Sequence, residues 1–212
     1  MRYLIKEPTC DMKQLKTYSF VLSIFTVLYL CIALWLIGNS AEMEPRRSWI
    51  IQECVYAAYA LAVTVFCFWI AAISRKGSKL VLPAVTGGVG YLAAIVGGIL
   101  TTVTVLQFYK TFEMNEEVLK WSGYVQSGGI ILFALALAWL SLYFRKASAP
   151  QILGFVLALI LIAMTIWSFH RPDFGDDWER ARHYYQMRAY VMNILEYSTF
   201  AAFFFAFSRI KA

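Results

Sequence analysis

Six long apolar stretches, Tyr18–Ile37, Val55–Ile73, Leu80–Phe108, Val125–Phe144, Ile152–Phe169 and Ala189–Phe207, decide what this chain can fold into. Each is near or above the roughly 17–25 residues that a helix needs to cross a hydrocarbon core. No water is available there, so every backbone N–H and C=O must be paired within its own segment, and that requirement selects helices. The expected fold is all-α, a polytopic membrane protein with six transmembrane helices. Composition points the same way: the 212 residues are 60% hydrophobic and only 15% charged, too apolar for a soluble domain of this length. Tryptophans mark many span ends, with Trp35, Trp49, Trp121 and Trp167 on one side and Trp69 and Trp139 on the other.

The loops set the expected orientation. One side carries Arg2, Lys6, Lys13 and Lys16, then Arg75, Lys76 and Lys79, then Arg145 and Lys146, then Arg209 and Lys211, against only Glu7 and Asp11. The other side holds Glu42, Glu44, Glu53, Glu113, Glu116, Glu117 and the acidic run from Asp173 to Glu179. Short, basic loops belong in the cytoplasm, so both termini are expected inside. The outer loops are the longer ones, and the tight inner turns carry breakers at Gly77 and Pro150. The chain therefore reads as three helical hairpins. A cytoplasmic tail (1–17) precedes the six-helix domain (18–208), and a short cytoplasmic tail (209–212) ends it. The first apolar run is a full span rather than the short core of a signal peptide. A net charge of +6 does not imply nucleic acid, because the basic residues lie between apolar spans.

Within this frame, two spans carry unusual chemistry. The third is rich in small residues: Gly87, Gly88, Gly90, Ala94, Gly97 and Gly98 give overlapping small-xxx-small spacings that let another backbone approach closely. Ser127, Gly128 and Gly129 of the fourth span form the expected matching surface. Gly-Gly-Val-Gly is not read as a phosphate loop, since no Lys-Ser/Thr follows it. Cys10, Cys31, Cys54 and Cys67 contain no CxxC and have no histidine at metal spacing, so no metal, redox motif, cofactor or disulfide is expected. The acidic loop lacks the spaced ligands of an EF-hand. Asp176 or Asp177 reads as an N-cap, with Glu179 in the first turn of a helix that begins near Trp178, outside the membrane. His170 and His183, on the same side, read as interfacial hydrogen-bonders.

The last span holds a carboxylate, Glu196, about seven residues below Ala189 and so about 10 Å deep at the helical rise. An ionisable group at that depth is costly, faces inward and is a functional candidate. At 100° per residue, Gln186, Tyr190, Asn193, Glu196, Tyr197 and Phe200 share one side of this helix, a polar and aromatic wedge. Two roles are open to it: a buried acid that holds helices together, or a site for a lipid or partner protein. Gln107, at the outer end of the third span, is the expected hydrogen-bond partner of Glu196.

The chain resembles the Frag/DRAM/Sfk superfamily of six-span eukaryotic membrane proteins. The resemblance rests on the six spans with both termini inside and on Tyr190-Val191-Met192-Asn193-Ile194-Leu195-Glu196-Tyr197, which is similar to that family's last-helix signature. Glu53-Cys54-Val55 opens the second span in a similar way, and Leu106-Gln107-Phe108 is similar, in altered order, to the Asn-Phe-Gln ending of the DRAM branch. The family's Pro-Tyr-Ile-Ser-Asp-type first outer loop is replaced here by Asn39 to Trp49. The resemblance implies lipid homeostasis in an endomembrane or the plasma membrane, through themes such as GPI-anchor lipid remodelling, phosphoinositide and lipid-asymmetry regulation, and endolysosomal roles.

No set of nucleophile, base and orienting group is visible, so the expected function is a non-enzymatic subunit or scaffold. Its partners would be membrane lipids and a membrane protein, and its site Glu196, Asn193, Tyr197, Tyr190 and Gln107. The alternatives are an enzyme of lipid or GPI-anchor acyl remodelling that uses Glu196 or an outer histidine as acid–base, and a channel or transporter.

Overall fold

The structure is a computed structural model that describes residues 10–39, 45–73, 79–111, 115–142, 148–170, 172, 175 and 178–209. The described residues form six α-helices: α1 (Cys10–Gly38), α2 (Pro45–Ile73), α3 (Val81–Thr111), α4 (Glu116–Ser141), α5 (Ala149–Trp167) and α6 (Trp178–Ser208). All six are long and apolar enough to cross a membrane, so the chain is an integral multi-pass membrane protein. Four helices start well before the apolar spans they contain: α1 at Cys10, α2 at Pro45, α4 at Glu116 and α6 at Trp178. Hydropathy marks only the length a bilayer covers, whereas helical hydrogen bonding continues into the polar layers. The expected caps Asp176 and Asp177 lie outside the described residues, but Glu179 does occupy the first turn of α6, where the helix dipole favours an acid.

The chain forms two compact units, divided within α2 between Tyr59 and Ala60 and after α4 at Leu140. The first unit holds the second part of α2 together with α3 and α4. Here the small residues of α3 meet α4. A Cβ at Gly97 would stand 2.5 Å from the Gln126 backbone nitrogen and 2.7 Å from the Ser122 carbonyl oxygen, and one at Gly90 would stand 2.9 Å from the Leu132 Cβ. At Gly129, a Cβ would collide with the Ala94 nitrogen and the Gly90 carbonyl. Gly87 approaches Ala136, so the partners run in opposite order along the two helices and the seam is antiparallel. A hydroxyl pair, Thr101 and Ser122 at 2.9 Å, lies beside it, and Tyr91 packs on Phe133 with ring centroids 4.7 Å apart. Gly90, Ala94, Gly97 and Gly129 thus lie where the Gly/Ala spacing places them, and Gly98 is also buried. Gly128 does not join the seam. A Cβ there meets nothing within 4 Å among the described residues, because it is turned 100° from Gly129.

The second unit holds α1, the start of α2, α5 and α6. Helix α6 packs against both α1 and α5. Along α1 the pairs run antiparallel: Gly38 meets the Tyr190 hydroxyl, Tyr29 meets Tyr197, the Ser23 hydroxyl donates to the Ala201 carbonyl at 3.1 Å, and Phe20 meets Phe205. On the α5 side, the Phe203 ring lies 3.1 Å from where a Cβ on Gly154 would stand and contacts Phe155 edge-on. The start of α5 is fixed by its sequence. Ser148 caps the Gln151 N–H, the Gln151 side chain returns to the Ser148 N–H, and Pro150 stands in the first turn. The Gln151 amide also donates to the Ser141 carbonyl at 2.8 Å, satisfying an orphan acceptor at the end of α4. Pro150 therefore starts a helix where the sequence suggested a turn breaker.

These contacts predict a contrast between neighbouring glycines. Gly97→Ala and Gly129→Ala must push backbone apart and should cost about 1–3 kcal/mol. Gly128→Ala enters open space and gains helix propensity, so it should leave stability unchanged or slightly raised. Thermal midpoints in one detergent check this; equal midpoints for Gly97→Ala and the parent would contradict the close seam.

Candidate functional site

Glu196 stands on the part of α6 that faces α1 and the start of α2. Tyr29 of α1 stacks on Tyr59 of α2, with centroids 5.2 Å apart and planes 14° from parallel. Tyr197 closes the set edge-on, 4.7 Å from Tyr29 and 5.7 Å from Tyr59. Tyr56 lies 6.2 Å from Tyr29, and Phe200 lies 6.2 Å from Tyr197. The Tyr59 hydroxyl and Thr26 Oγ1 share a hydrogen bond of 3.1 Å, and Thr26 also donates to the Leu22 carbonyl at 2.7 Å. Tyr29, Tyr59, Tyr197 and Phe200 are all buried. Offset and edge-on ring contacts of this kind add roughly 0.5–1.5 kcal/mol per pair beyond burial, so the cluster ties three helices together.

Glu196, the residue before Tyr197 on α6, is 9% exposed. Among the described residues it takes part in no hydrogen bond. Other polar groups of α6 are satisfied. The Asn193 amide donates back to the Ala189 carbonyl at 2.8 Å. The Gln186 amide donates to the Ile37 carbonyl at 3.3 Å, serving the last turn of α1. The expected wedge of Tyr190, Asn193, Glu196 and Tyr197 therefore deepens along the helix. Tyr190 and Asn193 are half-buried, while Glu196 and Tyr197 are buried.

The expected partner, Gln107, has a different setting. It is exposed in the first unit, one turn from the end of α3, a position where polar surroundings can serve its amide. The aromatic cluster at the next residue, Tyr197, draws Tyr29 from α1 and Tyr59 from α2, with Thr26 hydrogen-bonded to Tyr59 and Tyr56 against Tyr29. None of Thr26, Tyr29, Tyr56 and Tyr59 was singled out from the sequence. Their signal was position, for Tyr29 is well inside its span and Tyr56 and Tyr59 share a helix face at a spacing of three. His170 and His183 are both exposed, and Cys31 and Cys67 are free thiols.

Chemically, the site offers a carboxyl in an apolar, aromatic surround, able to accept a hydrogen bond from an incoming polar group. Compared with known protein families, with characterised proteins and with solved structures, the chain matches none.

A buried polar group without a partner costs about 1–3 kcal/mol. Glu196→Leu should therefore raise the thermal midpoint, and Glu196→Gln should stay near the parent. A large loss of stability in Glu196→Leu would mean that the carboxyl is a structural tie, as the pairing with Gln107 implied.

Proposed function

We propose that this chain is a non-enzymatic multi-pass membrane subunit that binds lipid or a partner membrane protein through the region around Glu196 and supports membrane lipid homeostasis. One observation carries the reading: Glu196 is a carboxylate buried within a membrane-spanning helix, next to Tyr197 of the aromatic cluster. An ionisable group at that depth is costly, faces inward and marks a functional site. The last-helix segment from Tyr190 to Tyr197 supports placement near the Frag/DRAM/Sfk superfamily, and with it an endomembrane or plasma-membrane setting.

In this reading the six helices form three hairpins with both termini in the cytoplasm. The charge distribution supports that arrangement: Arg75, Lys76, Lys79, Arg145 and Lys146 fill the short inner turns, while the acids collect in the outer loops.

Two experiments test the proposal. Native purification of the parent and of Glu196→Gln, with identification of co-purifying lipids and proteins, should show a component that the variant loses at unchanged fold. Equal retention would remove Glu196 from the site. For topology, cysteines introduced at Asn115 and at Gly175 should react with an impermeant reagent from the outer or lumenal side, and tags at both termini from the cytoplasmic side. Labelling at Asn115 only after the cytoplasmic side is opened would refute the arrangement.

A further inference from the structure

The antiparallel register of α1 and α6 places a group of cations at the end where α1 begins and α6 finishes. Tyr29 meets Tyr197, the Ser23 hydroxyl meets the Ala201 carbonyl and Phe20 meets Phe205, with ring centroids 6.3 Å apart. One further turn, about 5.4 Å along each helix, brings Lys16 of α1 level with Arg209 at the end of α6. Lys13 lies on the same stripe of α1, because 13, 16 and 20 repeat at helical spacing. Arg209 is oriented: its guanidinium carbon sits 4.5 Å from the centroid of the Phe205 ring, the ring that faces Phe20. Lys13 and Arg209 are exposed, Lys16 is half-buried, and Phe20 is 46% exposed beside them. Three cations thus stand directly beyond a pair of lipid-facing rings, and the α1 N-terminus adds the positive end of its dipole.

We infer that Lys13, Lys16 and Arg209 bind the phosphate of an anionic membrane lipid whose acyl chains lie along Phe20 and Phe205. Both parts of the arrangement point to a lipid. The cations complement a phosphate, and the apolar rings continue from them straight into the membrane-spanning surface. Arg209 supplies a planar fork that suits phosphate oxygens, and its stacking on Phe205 limits the freedom lost on binding. This site lies at the opposite end of the α1–α6 seam from Tyr190 and does not use Glu196, so it goes beyond the function proposed above and can fail independently of it.

The test uses the full-length protein in nanodiscs of phosphatidylcholine with a small fraction of phosphatidylserine, with retained lipids counted by native mass spectrometry. The parent should retain phosphatidylserine in preference to phosphatidylcholine. Each Lys or Arg near a charged membrane surface changes binding by about fivefold. Lys16→Ala and Arg209→Ala should therefore each weaken retention by about that factor, and together by roughly 25-fold. Phe205→Leu, which keeps the charge but removes the ring beneath Arg209, should give a smaller loss. Lys79→Ala, a basic residue of the first unit, should leave retention unchanged. An equal loss from Lys79→Ala would reduce the effect to the general field of the basic side and overturn the site. Displacement of the lipid by millimolar inorganic phosphate would make it a site for soluble phosphate and overturn the lipid assignment. Thermal midpoints of all variants separate loss of binding from loss of fold.

Discussion

The apolar surround offers a polar group no partner except the protein itself, and that constraint runs through the structure. It makes each span a helix with its hydrogen bonds closed internally. It also folds hydroxyls back onto their own helices: Ser19 to Leu15, Thr26 to Leu22, Thr102 to Gly98, Thr104 to Leu100, Thr165 to Leu161 and Thr199 to Leu195. Where helices end, side chains take over, as Gln151 does for Ser141 and Gln186 for Ile37. Against this pattern Glu196 stands out as a carboxylate buried within a span.

The two units meet the same constraint with different packing. Lipid chains are as apolar as leucine, so helices gain little by hiding apolar surface from one another and must win on van der Waals fit. In the first unit that fit comes from the missing side chains of Gly90, Gly97 and Gly129, which bring backbones into contact. In the second unit it comes from large rings, with Tyr29 stacked on Tyr59, Tyr197 edge-on to both, and Phe203 pressed onto Gly154.

Helix α6 links these features to function. Its earlier turns carry Gln186 and Tyr190 against the end of α1, its middle carries Glu196, and Arg209, just past its end, lies over Phe205. A single antiparallel register with α1 aligns all three levels. A change to that register would move Tyr197 away from Tyr29 and Phe205, with the cation above it, away from Phe20 together.

The sequence by itself determined the class of fold, because span length and apolar content leave helices as the one way to satisfy the backbone in lipid. It also marked Glu196 by its cost at depth, and the Gly90, Ala94, Gly97 and Gly129 seam by its spacing, since both are properties of one helix read along its own axis. It did not separate Gly128 from Gly129, nor find where α1, α2, α4 and α6 begin, because helical hydrogen bonding outlasts hydropathy. Only the tertiary structure decided which side chains meet beside the acid. Tyr29, Tyr56, Tyr59 and Thr26 were brought together with Tyr197 by the register of α6 with α1 and of α1 with α2. Register between helices depends on how side chains interlock across a seam, and that information is spread over distant parts of the chain.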